Sequence, residues 1–176
     1  MKTPSAARKP RGKLLHSFVV IADTHVNESD HSSVSPFANQ VRTNDRARFV
    51  FTEIASLTPR PQFILHLGDV VHPVPGLSSH EVAIARYKEI SGTVDIPIYV
   101  VPGNHDVGDK SVDGMPAAIV SDANLEVYRR AHGPDYFALD AGPMRLLIVN
   151  AQLLNSGLAS EASQAEWFDA QLADSD

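Results

Sequence analysis

The chain has no cysteine among its 176 residues, which excludes disulfides and thiolate metal sites. No apolar run approaches the roughly 20 residues that a membrane-spanning helix needs. There is no internal repeat. Acidic residues are missing from residues 1–13, "MKTPSAARKPRGK", which carry Lys2, Arg8, Lys9, Arg11 and Lys13. With five of the 15 basic residues in that leader, the remainder holds 10 basic against 21 acidic residues, a net charge of −11. The leader reads as a flexible segment, and no apolar stretch follows it to make a secretory signal. A cytoplasmic location is the expectation. A basic tail can bind nucleic acid, but an acidic body argues against nucleic acid as the main ligand. What is present is an ordinary globular composition, 43% hydrophobic and 20% charged, at a length of about one domain.

Three apolar runs share one design. "SFVVIADTH" (17–25), "QFILHLGD" (62–69) and "PIYVVPGNHD" (97–106) each pass from continuous aliphatic residues into polar ones. Continuous rather than alternating character predicts strands buried on both faces, as in a parallel sheet covered by helices. Between them, 45–57 and 78–91 read as helices, with Phe49, Ile54 and Leu57 on one apolar face and Val82, Ala85 and Ile90 on the other's. The order β-α-β-α-β predicts an α/β domain. Further on, 122–132 reads as a helix stopped by Gly133 and Pro134, and 136–152 as a hairpin around an Asp-Ala-Gly-Pro turn. The last segment reads as a helix with Ser160 or Ser163 near its cap and Trp167, Phe168 and Leu172 facing the core. Residues 26–42 and 107–120 read as loops.

In a parallel sheet the polar ends of the three strands lie on one edge, where α/β proteins keep their chemistry. Asp23, His25, Asp69 and Asn104 can therefore converge. Carboxylates, an imidazole and an amide carbonyl suit Mn, Fe or Zn better than a thiol-loving metal. One carboxylate can bridge two ions about 3.5–4 Å apart. A single D-x-H means little, but three such ends, at gaps of 46 and 35 residues, form a pattern that independent polar turns seldom produce. His66, inside its strand, reads as a packed residue, and His72 as a neighbour of the site rather than a ligand.

D-x-H, G-D and G-N-H-D in this order resemble the calcineurin-like metallophosphoesterase superfamily, in a match that runs through residues 17–172. The resemblance implies a β-sandwich of two mixed sheets flanked by helices, with a site for two divalent or trivalent ions at the sheet edges. It implies that Asp23 and His25 hold the first ion, that Asp69 bridges both and that Asn104 binds the second. His105 would stand over the phosphate and assist the leaving oxygen, and Asp106 would orient its imidazole. The implied activity is hydrolysis of a phosphate-ester substrate by a water that two metal ions activate.

The family completes its site with a further His and a Gly-His-x-His segment, whereas no histidine follows His132 here. The expectation is that residues 14–176 are the N-terminal part of a single, C-terminally incomplete metallophosphoesterase domain, with the second ion the less well held. The rival reading is a non-catalytic binding module with the same fold, which the intact His105 argues against and the missing histidines argue for.

Overall fold

The structure, a computed structural model, describes residues 12–33, 35, 41–110 and 118–173. The leader therefore lies outside the described residues except for Gly12 and Lys13, and so do parts of both long loops. The three apolar runs form strands β1 (Val19–Ile21), β2 (Ile64–His66) and β3 (Ile98–Val100), parallel and in that spatial order. In the register Ile21 lies beside His66 and His66 beside Val100, so the three strands end together on one edge. Helices α1 (Thr43–Ala55) and α2 (His80–Ser91) make the two crossovers.

Ile64 points into the helical side of the core with Phe51, Tyr87, Leu125 and Tyr128, while Leu65 joins Phe63 and Ala141 on the other face. That alternation is the period of a strand. The opposite face carries a hairpin, β4 (Phe137–Ala141) and β5 (Met144–Ile148). Ala141 pairs with Met144, so the loop is Gly142-Pro143, with Gly142 at φ +61°. A two-residue loop with glycine first matches the right-handed twist of the strands. Among the described residues the α/β fold is thus a three-stranded parallel sheet between helices and an antiparallel hairpin. Burial on both faces holds for β2 alone; β1 and β3 are the outer strands, and Val20 is 49% exposed.

The helix faces differ from the sequence expectation. In α1 the core takes Ala47, Phe51 and Ile54, whereas Phe49 and Leu57 are exposed. In α2 it takes Ala83, Tyr87 and Ile90, whereas Val82 is exposed. Counting from Phe51 rather than Phe49 rotates the stripe by about 200°, since successive helical residues are about 100° apart. The short helix α3 (Asn104–Val107) follows β3 directly. Helix α4 (Asp122–His132) starts where expected, with Ser121 Oγ accepting the Asn124 N–H at 3.3 Å. Helix α5 (Ala159–Ala173) is not capped by Ser160 or Ser163. Glu161 instead accepts N–H bonds from Asn155 (2.5 Å) and Gly157 (2.9 Å). Trp167 packs tilted against Tyr136, but Leu172 is 50% exposed. Among the described residues no helix is long and apolar enough to cross a membrane.

Candidate metal centre

Pairing continues past the strand ends and carries the three motifs together. Asp23 N–H donates to Gly68 O, His25 N–H to Asp69 O and Val26 N–H to Val70 O, each at 3.0 Å. To stay in this ladder while turning outward, Asp23, His25 and Asp69 adopt φ of +57°, +43° and +53°. That region is disfavoured for side chains with a Cβ and persists where surrounding contacts over-determine it. Three of the four non-glycine residues there, among those described, are candidate ligands.

The contacts that hold these turns are polar and buried. Thr24 Oγ1 donates to Val70 O (2.8 Å), so its bond of 2.9 Å with His66 must come from the His66 Nε2–H. His66 Nδ1 in turn accepts the Gly68 N–H at 3.2 Å. Both ring nitrogens are used by one neutral tautomer. Burial pushes the His66 pKa down to about 3, with the charges of His132 and His25 acting the same way. His66 is therefore the packed strand residue that the sequence suggested.

Asp106 makes its hydrogen bonds to backbone N–H groups of both motif turns. Its Oδ2 accepts N–H bonds from Asp69 (2.7 Å) and Gly103 (2.8 Å), and Oδ1 accepts from Val70 (3.1 Å). Burial pushes its carboxyl up to about 7, while these donors pull it down. Because both oxygens accept N–H bonds, the site is built around the ionised form. His105 is oriented by something else: its Nδ1–H donates to the His72 carbonyl at 2.7 Å. Asp106 thus braces the G-D turn against the G-N-H-D turn, and His72 positions the imidazole through its backbone.

Glycine is required at position 103 for proximity. A Cβ there would stand 2.6 Å from the Asp69 nitrogen and closer still to Asp69 Oδ1, too near for any side chain. The approach lets His105 N–H, in α3, donate to Asp69 Oδ1 at 2.9 Å. Asp69 Oδ2 faces the other way, 3.6 Å from His25 Nε2, which is itself 3.7 Å from Asp23 Oδ1. The Asp69 side chain is 13% exposed and that of Asp23 67%, so Asp69 is the deeper of the two. Asn104 is half-buried and opens α3, one residue before His105, whose N–H reaches Asp69 Oδ1.

This donor set fits a first-row cation. Two donors each about 2.1 Å from a tetrahedral ion stand about 3.4 Å apart, close to the separations seen here. Donor atoms of Asp23, His25 and Asp69 lie within 4.8 Å of one another, as do those of His25, His72 and His105. The second group brings in His72, whose Nδ1 is 3.4 Å from His25 Nδ1. Burial first, then neighbouring imidazoles, lower the pKa of His25 and push that of His72 down to about 4. Both rings are then neutral, the form that ligates metal. Only the spacing of His72 from Asp69 hinted at this in the sequence. Asn150, by contrast, is fully buried and holds Asp135 and Gln164.

The model of the calcineurin-like phosphoesterase family matches residues 16–169. The chain is similar to proteins named serine/threonine-protein phosphatase CPPED1. It is 32% identical to the one from Bos taurus over 124 residues, which cover 68% of this chain and 37% of that protein. It is 30% identical to the one from Homo sapiens over 125 residues, with the same coverage. It is 33% identical to the one from Danio rerio over 101 residues, which cover 56% of this chain and 30% of that protein. The matched stretch thus spans about a third of the relatives' length, 30–37%. With three strand-end motifs meeting on one sheet edge inside a family match of that extent, the chain belongs to the calcineurin-like phosphoesterase family.

Proposed function

We propose that the protein hydrolyses phosphate esters with two metal ions, Asp23 and His25 on the first, Asp69 shared and Asn104 on the second. The observation that carries this is the approach of His25 Nε2 to both Asp23 Oδ1 and Asp69 Oδ2, with Asp69 Oδ1 turned toward the G-N-H-D segment. Mn, Fe and Zn all suit these donors. When bound, such a pair of ions lowers the pKa of water and draws charge off phosphoryl oxygens. The side chains then divide the remaining work. His105, with Nδ1–H committed to the His72 carbonyl, has Nε2 left to hold or deliver a proton at the leaving oxygen. Asp106 keeps the two ligand-bearing turns at their separation. The name of the relatives favours a phosphorylated serine or threonine as the ester. Residues 14–176 are, in the same reading, part of a single metallophosphoesterase domain, which the family match over residues 16–169 supports.

The test is hydrolysis of an aryl phosphate by the full-length protein, stripped with a chelator and reloaded with Mn, Fe or Zn. Turnover should vanish on stripping and return on reloading. His105→Ala should lower it about 10²–10⁴-fold, the scale of a positioned acid–base group, with metal content unchanged. Turnover that survives chelation would refute the reading.

A further inference from the structure

A cleft of about 450 Å³ opens beside Asp23 and His25, between the end of β1 and helix α1. Its volume lies in the range of small-molecule sites. Ile21, Ala22, Ala47 and Val50 give it an apolar floor, and Arg46 is its one cation. Arg46 is exposed and has no ion pair among the described residues. Its neighbour on the same helix differs. Arg48 is committed to Asp30, whose two oxygens accept from Nη2 at 2.9 and 3.0 Å, and to Asp45, which accepts from Nη1 at 3.1 Å. The α1 wall is itself fixed to the chain that follows His25. Asn27 N–H donates to Asn44 Oδ1 at 2.7 Å, and Asn44 Nδ2 donates to Asp30 at 2.9 Å. A guanidinium without an acidic partner is thereby held on a fixed helix, above an apolar floor that adjoins the candidate ligands.

From this we infer that the cleft is a substrate subsite and that Arg46 selects phosphate esters whose apolar body carries a second anionic group. The inference rests on the reading of the adjoining residues as a phosphoesterase centre. The apolar lining takes the body of the ester, its phosphate lies toward Asp23 and His25, and Arg46 pairs with the second anion. Guanidinium suits this task because it stays charged and binds carboxylate or phosphate oxygens two at a time.

The experiment is calorimetric binding of two inert probes, phenylphosphonate and 4-carboxyphenylphosphonate, to the metal-loaded full-length protein. The carboxylated probe should bind about 5-fold tighter in low salt, the scale of one partly screened charged hydrogen bond. The preference should shrink as ionic strength rises. Arg46→Gln should abolish it while leaving phenylphosphonate within about twofold, and Arg46→Lys should keep part of it. No preference in the wild type, or an undiminished one in Arg46→Gln, would overturn the inference. Turnover of the matching aryl phosphates is read separately. If neither is hydrolysed the phosphoesterase reading fails, while the binding ratio still decides the role of Arg46.

Discussion

Asp106→Asn is the substitution that separates a brace from an imidazole orienter. Three backbone donors converge on this carboxylate, two on Oδ2 and one on Oδ1, and the residue is 3% exposed. An amide has one acceptor oxygen, so its NH₂ must face at least one N–H. The least costly orientation keeps Asp69 and Gly103 on the oxygen and leaves the Val70 N–H unpaired. That unmade bond costs about 2 kcal/mol, and loss of charge weakens the other two by about 1 kcal/mol together. Relief of the buried charge offsets part of this, so the net loss is about 2–3 kcal/mol. For a domain of this size, that lowers Tm by roughly 5–10 °C. Thermal and urea denaturation of the wild type and variant measure it. A variant within about 0.5 kcal/mol of the wild type but with reduced turnover would refute the brace and restore the imidazole-orienting role.

Two further perturbations follow from the same structure. Gly103→Ala places a Cβ 2.6 Å from the Asp69 nitrogen, so the two motif turns must separate; metal affinity should fall more steeply than stability, as paired calorimetric and denaturation measurements would show. Acid should destabilise the fold from about pH 6.5 downward. His66 and His132, pushed down to about 3 and 4, stay neutral when folded over most of the range in which they charge when unfolded, so the unfolded state binds up to two more protons between pH 6.5 and 4. Asp106, pushed up to about 7, opposes this by at most one proton. The net loss from these three groups reaches about 1.2 kcal/mol per pH unit near pH 5 and is smaller toward either end of the window, and His80, also lowered by burial, adds to it. A flat stability profile between pH 6.5 and 4 would contradict that proton balance.

The strands and their shared edge were legible because a continuous aliphatic run that ends abruptly in polar residues is what a strand inside a covered parallel sheet requires. The ligand candidates Asp23, His25 and Asp69 could be placed from that alone. Their left-handed backbone could not, because no residue type there demands it; it follows from a ladder between β1 and β2 that outlasts both strands. Helix faces failed where two apolar stripes competed: Phe49 and Phe51 are equally apolar, and only contact with Tyr87 and the sheet chooses the second. His72 was legible as a neighbour but not as part of an imidazole cluster, since that depends on where the chain after Asp69 folds back. The role of Asp106 was hidden for a related reason. Sequence adjacency suggested His105 as its partner, whereas helix α3 turns its carboxylate inward, onto nitrogens 36 and 37 residues away.

Metal content of the full-length wild type and its Asp69→Asn variant tests the central claim most directly. Asp69 turns one oxygen toward His25 and the other toward the G-N-H-D turn, which is why the proposed centre shares it between both ions. Elemental analysis after equilibrium dialysis against Mn, Fe or Zn should find about two ions per wild-type chain, the number a bridged centre holds. In the variant both should be depleted together, because the bridging charge is lost from each shell at once. Full loading of Asp69→Asn with two ions, or loss of only one, would contradict a shared carboxylate at this sheet edge.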